Sequence, residues 1–156
     1  MKIIILGVIF ALISLIGFKI GGKFKEKEKF YAEFLKFLLN LSTQVSFFKT
    51  NLIEVANNFK TSNNNMQVFL QQFKDKLTEN KNINLNNLSE DENREINDFV
   101  LRLGNTDCFS EENYLQKYNE IFKQKYNDSV ALNLKYGVLY KKLGVLVAFF
   151  VCIVLI

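Results

Sequence analysis

Apolar positions in this chain follow two kinds of pattern. Near both ends they are continuous; between the ends they recur every three or four residues. Residues 3–18 read IIILGVIFALISLIGF without a charge, and residues 143–156 read LGVLVAFFVCIVLI, also without one. As helices these runs would be about 24 Å and about 21 Å long, short of a hydrocarbon core of about 30 Å. Counting on to Gly22 in the first and back to Tyr136 in the second makes each long enough to span. Lysine stems reach from the apolar zone to the headgroups, and tyrosine rings settle at the interface. The pattern therefore predicts an uncleaved N-terminal anchor and a second, C-terminal membrane helix. A cleaved signal peptide would have a shorter apolar region followed by a small-residue cleavage site, and GFKIGGKFKEKEKF offers none.

Between these runs the period is helical. Phe30, Phe34, Leu38, Leu41, Val45 and Phe48 step by four, four, three, four and three, which keeps them on one helical face. Thr50 is expected to cap a short helix carrying Leu52, Val55, Ala56 and Phe59. Met66, Phe69, Leu70, Phe73 and Leu77 form a third stripe, and residues 80–87, NKNINLNN, read as a polar linker. Ser89 and Glu92 fit a capping box ahead of Ile96, Phe99, Val100 and Leu103, with Gly104 suited to the position just past the helix end. Ser110 is expected to cap the last helix, which has Glu111 and Glu112 in its first turn and presents Tyr114, Tyr118, Ile121 and Phe122. That helix meets no breaker before Gly137, so it is expected to run on into the terminal membrane helix, with Gly137 and Gly144 as weak points. No strand alternation is sustained. The predicted fold is all-α: an antiparallel helical bundle of about five or six helices with N-terminal and C-terminal transmembrane helices. Its expected divisions are an anchor at 1–22, a bundle at 23–136 and a C-terminal segment at 137–156.

Composition narrows the chemistry. The chain has no Pro, which permits long helices, and no His, the commonest general base and metal ligand. Cys108 and Cys152 match no metal or redox spacing. No phosphate-binding glycine loop occurs, and the acids stand at helix starts or beside lysines, as solvated faces do. Glu90, Asp91 and Glu92, for instance, read as a counter-charge to a helix N-terminus. These features predict a protein that is not an enzyme, with no cofactor and no small-molecule substrate. The 19 Asn residues read as compositional bias and polar linkers.

Charge gives an orientation. Lys19, Lys23, Lys25, Lys27 and Lys29 follow the first apolar run, and Lys135, Lys141 and Lys142 precede the second. The excess of lysine on these flanks predicts a cytoplasmic middle, and the same lysines suit anionic headgroups of the lipid bilayer. Lysines beside phenylalanines can also hold single-stranded nucleic acid, but a membrane boundary accounts for this cluster, so no nucleic-acid partner is expected.

Three stretches carry a family resemblance. They are FLKFLLNLSTQVSFFKTNLIEVANNF at residues 34–59, LRLGNTDCFSEE at 101–112 and LYKKLGVLVAFFVCIVLI at 139–156. In order and spacing they resemble the stage III sporulation protein AB family of endospore-forming bacteria. Where that family often has Pro after the corner Thr, this chain has Asn51. Where it commonly has Gln four residues after the Asp of its L-G-x-[ST]-D corner, this chain has Glu111. The resemblance implies action in the mother cell at the outer forespore membrane, within a transenvelope channel complex. It also implies a domain like the cytoplasmic helical domains of type II secretion platforms, which sit beside a cytoplasmic ATPase. The expected partners are therefore that ATPase and the other membrane subunits of the complex. Lys49, Thr50 and Asn51 at one corner, and Asn105, Asp107, Glu111 and Glu112 at the other, are the candidate contact residues, because backbone leaving a helix faces outward. Lys19, Lys23, Lys25, Lys135, Lys141 and Lys142 are the candidate membrane-flanking residues. Two other functions compete. A secretion or pilus platform unrelated to sporulation would usually duplicate the helical domain. A pore would need more polar lining than Ser14 supplies.

Overall fold

The computed structural model describes residues 2–48, 51–103 and 108–155, with side chains except at 2–3, 45–48, 108–111 and 155. The all-α expectation holds. The helices are α1 (Lys2–Phe48), α2 (Leu52–Asn58), α3 (Asn64–Glu79), α4 (Glu90–Arg102), α5 (Cys108–Leu132) and α6 (Val138–Leu155), and one π-helical turn, Asn133–Gly137, joins α5 to α6 without a break. Among the described residues there is no strand. Two compact units emerge: Met1–Glu28 with Asn127–Ile156, and Lys29–Tyr126. Helices α1 and α5 each contribute to both.

The Lys29–Tyr126 unit is a bundle around phenylalanine. Phe34 of α1 is fully buried and packs edge-on against Phe69 of α3 at 5.0 Å, Phe99 of α4 at 6.2 Å and Phe122 of α5 at 4.7 Å between ring centres. Phe37 makes the same edge-to-face contact with Phe59, Phe69 and Phe73. The positive rim of one ring meets the negative face of the next, which adds to the large apolar area each ring removes from water. The expected stripes on α3 and α4 face this core, as do Phe30, Phe34, Leu38 and Leu41 of the α1 stripe, joined by Tyr31, Phe37 and Leu115; the side chains of Val45 and Phe48 lie outside the described ones. Burial, together with the Glu92 carboxylate that accepts its hydrogen bond at 2.9 Å, pushes the Tyr31 hydroxyl pKa well above the usual tyrosine range. The capping box forms as its sequence predicts. The Ser89 N–H donates to Glu92 Oε2 at 2.9 Å while the Glu92 N–H donates to Ser89 Oγ at 3.4 Å. One carboxylate thus starts α4 and ties it to α1.

Three local expectations need correction. Asn51, not Thr50, caps α2, accepting from the Ile53 N–H at 3.0 Å; its extended backbone and short amide serve the purpose as well as a hydroxyl. Thr50 itself lies outside the described residues, as does Gly104. Helix α5 begins at Cys108, so Ser110 lies inside its first turn rather than before it. Residues 80–87 are not a loose linker. Asn80 ends α3 in the left-handed region at φ 54°, which a short amide side chain tolerates. Ile83 and Leu85 are then buried in the core.

Extended backbone at Ile83–Leu85 would leave its polar groups unpaired beside the core, and side-chain amides supply the partners. The Asn97 side chain both accepts from the Ile83 N–H at 2.9 Å and donates to the Ile83 carbonyl at 2.7 Å. Asn93, one helical turn earlier, does the same for Leu85 at 2.8 and 3.2 Å. From the other side Gln72 of α3 grips Asn84 at 2.8 and 3.2 Å. The spacings match: four helical residues rise about 6.0 Å and two extended residues about 6.6 Å. These amides act as the neighbouring strand of a ladder. Asn63 likewise caps α3 through the Met66 N–H. Compositional bias does not account for these asparagines.

Candidate membrane anchor and partner surface

The Met1–Glu28 and Asn127–Ile156 unit is organised the other way round. Its buried residues are small: Ser14, Gly17, Gly21, Ser129, Gly137 and Ala148. Its large apolar side chains point outward, among them Leu12, Leu15, Ile16, Leu146, Phe150 and Ile153. Glycines form a seam between α1 and the helix running from the π turn into α6. A methyl group built on Gly17 would stand 2.7 Å from the Gly144 Cα and 2.9 Å from the Tyr140 carbonyl oxygen, so only hydrogen fits there. Gly21 and Gly137 make a second such approach, with the Lys141 stem lying against Gly21. Along the same seam Cys152 Sγ donates to the Leu6 carbonyl at 3.7 Å, and the Phe10 and Phe149 rings meet edge-on at 5.0 Å. Phe24 stacks with Tyr136 and Tyr140, and Asn133 donates to Glu28 at 2.6 Å. Residue numbers rise along one helix as they fall along the other, the mark of an antiparallel pair.

This register aligns the apolar runs. Gly17 and Gly144 are opposite one another, and each is one residue inside the charged end of its run, 3–18 and 143–156. Both helices therefore leave their apolar stretch at one level. Lys19, Lys23, Lys25, Lys135, Lys141 and Lys142 are all on the polar side of it, as are the stacked rings of Phe24, Tyr136 and Tyr140. Aromatic rings and lysines at one height are what a membrane–water interface selects. The Lys135 ammonium lies 5.2 Å from the centre of the Tyr136 ring. By length and composition both helices can cross a membrane, and only 11 % of each apolar window is buried, unlike the core helix of a soluble domain. Close backbone approach through small residues is also how helices associate in lipid, where burying leucine brings no advantage.

Large apolar residues carry the usual helical signal, and they do not find this seam. Small ones do: Ser14, Gly17 and Gly21 are spaced by three and four, the second pair forming Gly-x-x-x-Gly, and Gly137 and Gly144 are two turns apart. Gly137 and Gly144 are contact points, and Gly137 also closes the π-helical turn between α5 and α6.

Of the corner residues expected to meet a partner, Asn51 is exposed with its side-chain oxygen engaged in capping α2, and Glu112 is exposed on α5. Lys49, Thr50, Asn105 and Asp107 lie outside the described residues, as does the Glu111 side chain.

Fold and seam together define an all-helical protein with a bundle and two apolar helices long enough to span a membrane. The family model for stage III sporulation protein AB matches residues 2–156. The chain belongs to that family and is a sporulation-related protein. No curated protein and no solved structure matches it.

Proposed function

We propose that this chain is a non-catalytic, membrane-anchored platform subunit of the sporulation transenvelope channel complex, and that its bundle docks a cytoplasmic secretion-type ATPase. The observation that carries the anchoring is the common level at which α1 and α6 leave their apolar runs, ringed by lysines and aromatics. Family membership supports the sporulation setting. A chain without His, whose acids sit in caps and on solvated faces, supports a scaffolding role. In this reading the bundle lies in the mother-cell cytoplasm and the anchor in the outer forespore membrane, beside the other membrane subunits.

The test is genetic and then biochemical. Deleting the gene should block spore formation after engulfment and leave vegetative growth normal; a normal spore yield would refute the role. Full-length protein in detergent should retain the ATPase encoded beside it. Binding through Glu111 and Glu112 should weaken as salt rises and on reversal of both to Lys. Undiminished binding by that folded variant would move the contact elsewhere.

A further inference from the structure

A shallow groove of about 450 Å³ runs along the anchor, lined by Phe18 of α1 and Lys141, Lys142, Val145 and Leu146 of α6. Its walls are almost wholly carbon, including the lysine stems. It lies at the level where both apolar runs end. Phe18 is the last residue of one run and Leu143 the first of the other, so Val145 and Leu146 extend into the apolar zone while Lys141 and Lys142 mark its edge. The Lys141 stem is seated against Gly21, where a side chain on α1 would displace it. That contact fixes the stem beside the groove it lines. Among the described residues neither Lys141 nor Lys142 has a carboxylate partner. The surrounding charge is one-sided: the Met1–Glu28 and Asn127–Ile156 unit carries eight lysines and three acids.

We propose that this groove is a binding site for one anionic phospholipid, with an acyl chain along Phe18, Val145 and Leu146 and the phosphate on Lys141 and Lys142. A free phosphate ion would satisfy the lysines and leave the apolar wall bare. A zwitterionic lipid would fill the wall and place its own cation beside two more. An anionic lipid matches both halves. The site rests on the membrane reading of α1 and α6 and adds a ligand class and its contact residues.

The full chain reconstituted in phosphatidylcholine vesicles tests it, with spin-labelled phosphatidylglycerol and spin-labelled phosphatidylcholine as probes of immobilised lipid. Phosphatidylglycerol should be held preferentially. A lysine near the surface contributes about fivefold in affinity for anionic lipid, so the Lys141→Gln, Lys142→Gln double variant should lose on the order of twenty-fold preference. The corresponding Arg variants should keep it. Leu146→Trp, which leaves both charges and fills the groove, should also abolish the preference. Persistence of the preference in Leu146→Trp would show diffuse surface charge and overturn the site. Displacement of the probe by millimolar inorganic phosphate would overturn it in favour of a soluble anion. If alkaline carbonate strips the unmodified chain from the vesicles, the membrane reading itself fails, a result distinct from an inserted chain that shows no lipid preference.

Discussion

The two units of this chain solve opposite problems with the same element. In the Lys29–Tyr126 bundle the large side chains are inside: rings from α1, α3, α4 and α5 meet at Phe34, and among the described residues only Leu39, Val68 and Leu101 of the large apolar side chains are exposed. In the other unit Gly17, Gly21, Gly137, Ser14, Ser129 and Ala148 are inside, and most of the leucines, isoleucines and phenylalanines are outside. Water rewards removing apolar area, so the bundle buries its largest groups. Lipid gives no such reward, and what remains is backbone contact, which small residues permit. Charge divides likewise: the bundle has twelve basic and thirteen acidic residues, the anchor eight and three. One helix, α1, carries both designs, with Gly17 and Gly21 serving the seam and Phe30, Phe34 and Phe37 the core.

The contrast can be broken most severely at Phe34. Phe34→Ala removes the ring shared by four helices and should cost the bundle about 3–5 kcal/mol, read as a lower midpoint in chemical denaturation. The equivalent loss in the anchor comes from adding atoms. Gly17→Leu should part α1 from α6 at a cost of about 1–3 kcal/mol, whereas Gly7→Leu, where nothing lies within 4 Å, should be silent. Cysteines introduced at Phe10 and Phe149 report the difference: they should cross-link in membranes in the Gly7 variant and fail to in the Gly17 variant. Asn97→Ala leaves the Ile83 N–H and carbonyl without their shared partner and should cost about 1–3 kcal/mol, with faster hydrogen exchange at Ile83. Ser89→Ala is the mildest, about 1 kcal/mol from one lost cap.

How much of this the sequence discloses follows the same division. Stripes of large residues name the bundle's core helices because their period is fixed by what water excludes, and the Ser89–Glu92 box names a helix start because both partners are local. The amide ladder is hidden, since Asn93 and Asn97 are ordinary exposed-face residues until α4 is placed against Ile83 and Leu85, a pairing across fourteen and eight positions. The seam is half-hidden: glycine reads first as a helix weakener, and only its spacing against a distant helix gives it a role. Asn51 loses to Thr50 as a cap on sequence alone because both are good caps and the backbone decides. The corner residues expected to meet a partner have no such internal check, because their purpose lies in another molecule.

The central claim is that two parts of one chain face different solvents. Spin labels placed singly at Leu12 and Phe150 in the anchor and at Leu39 and Leu101 in the bundle, all exposed positions, test it in reconstituted vesicles. Collisions with oxygen, which concentrates in lipid, should dominate at Leu12 and Phe150, and collisions with a water-soluble nickel chelate at Leu39 and Leu101. Equal access of the nickel chelate to all four would contradict the account.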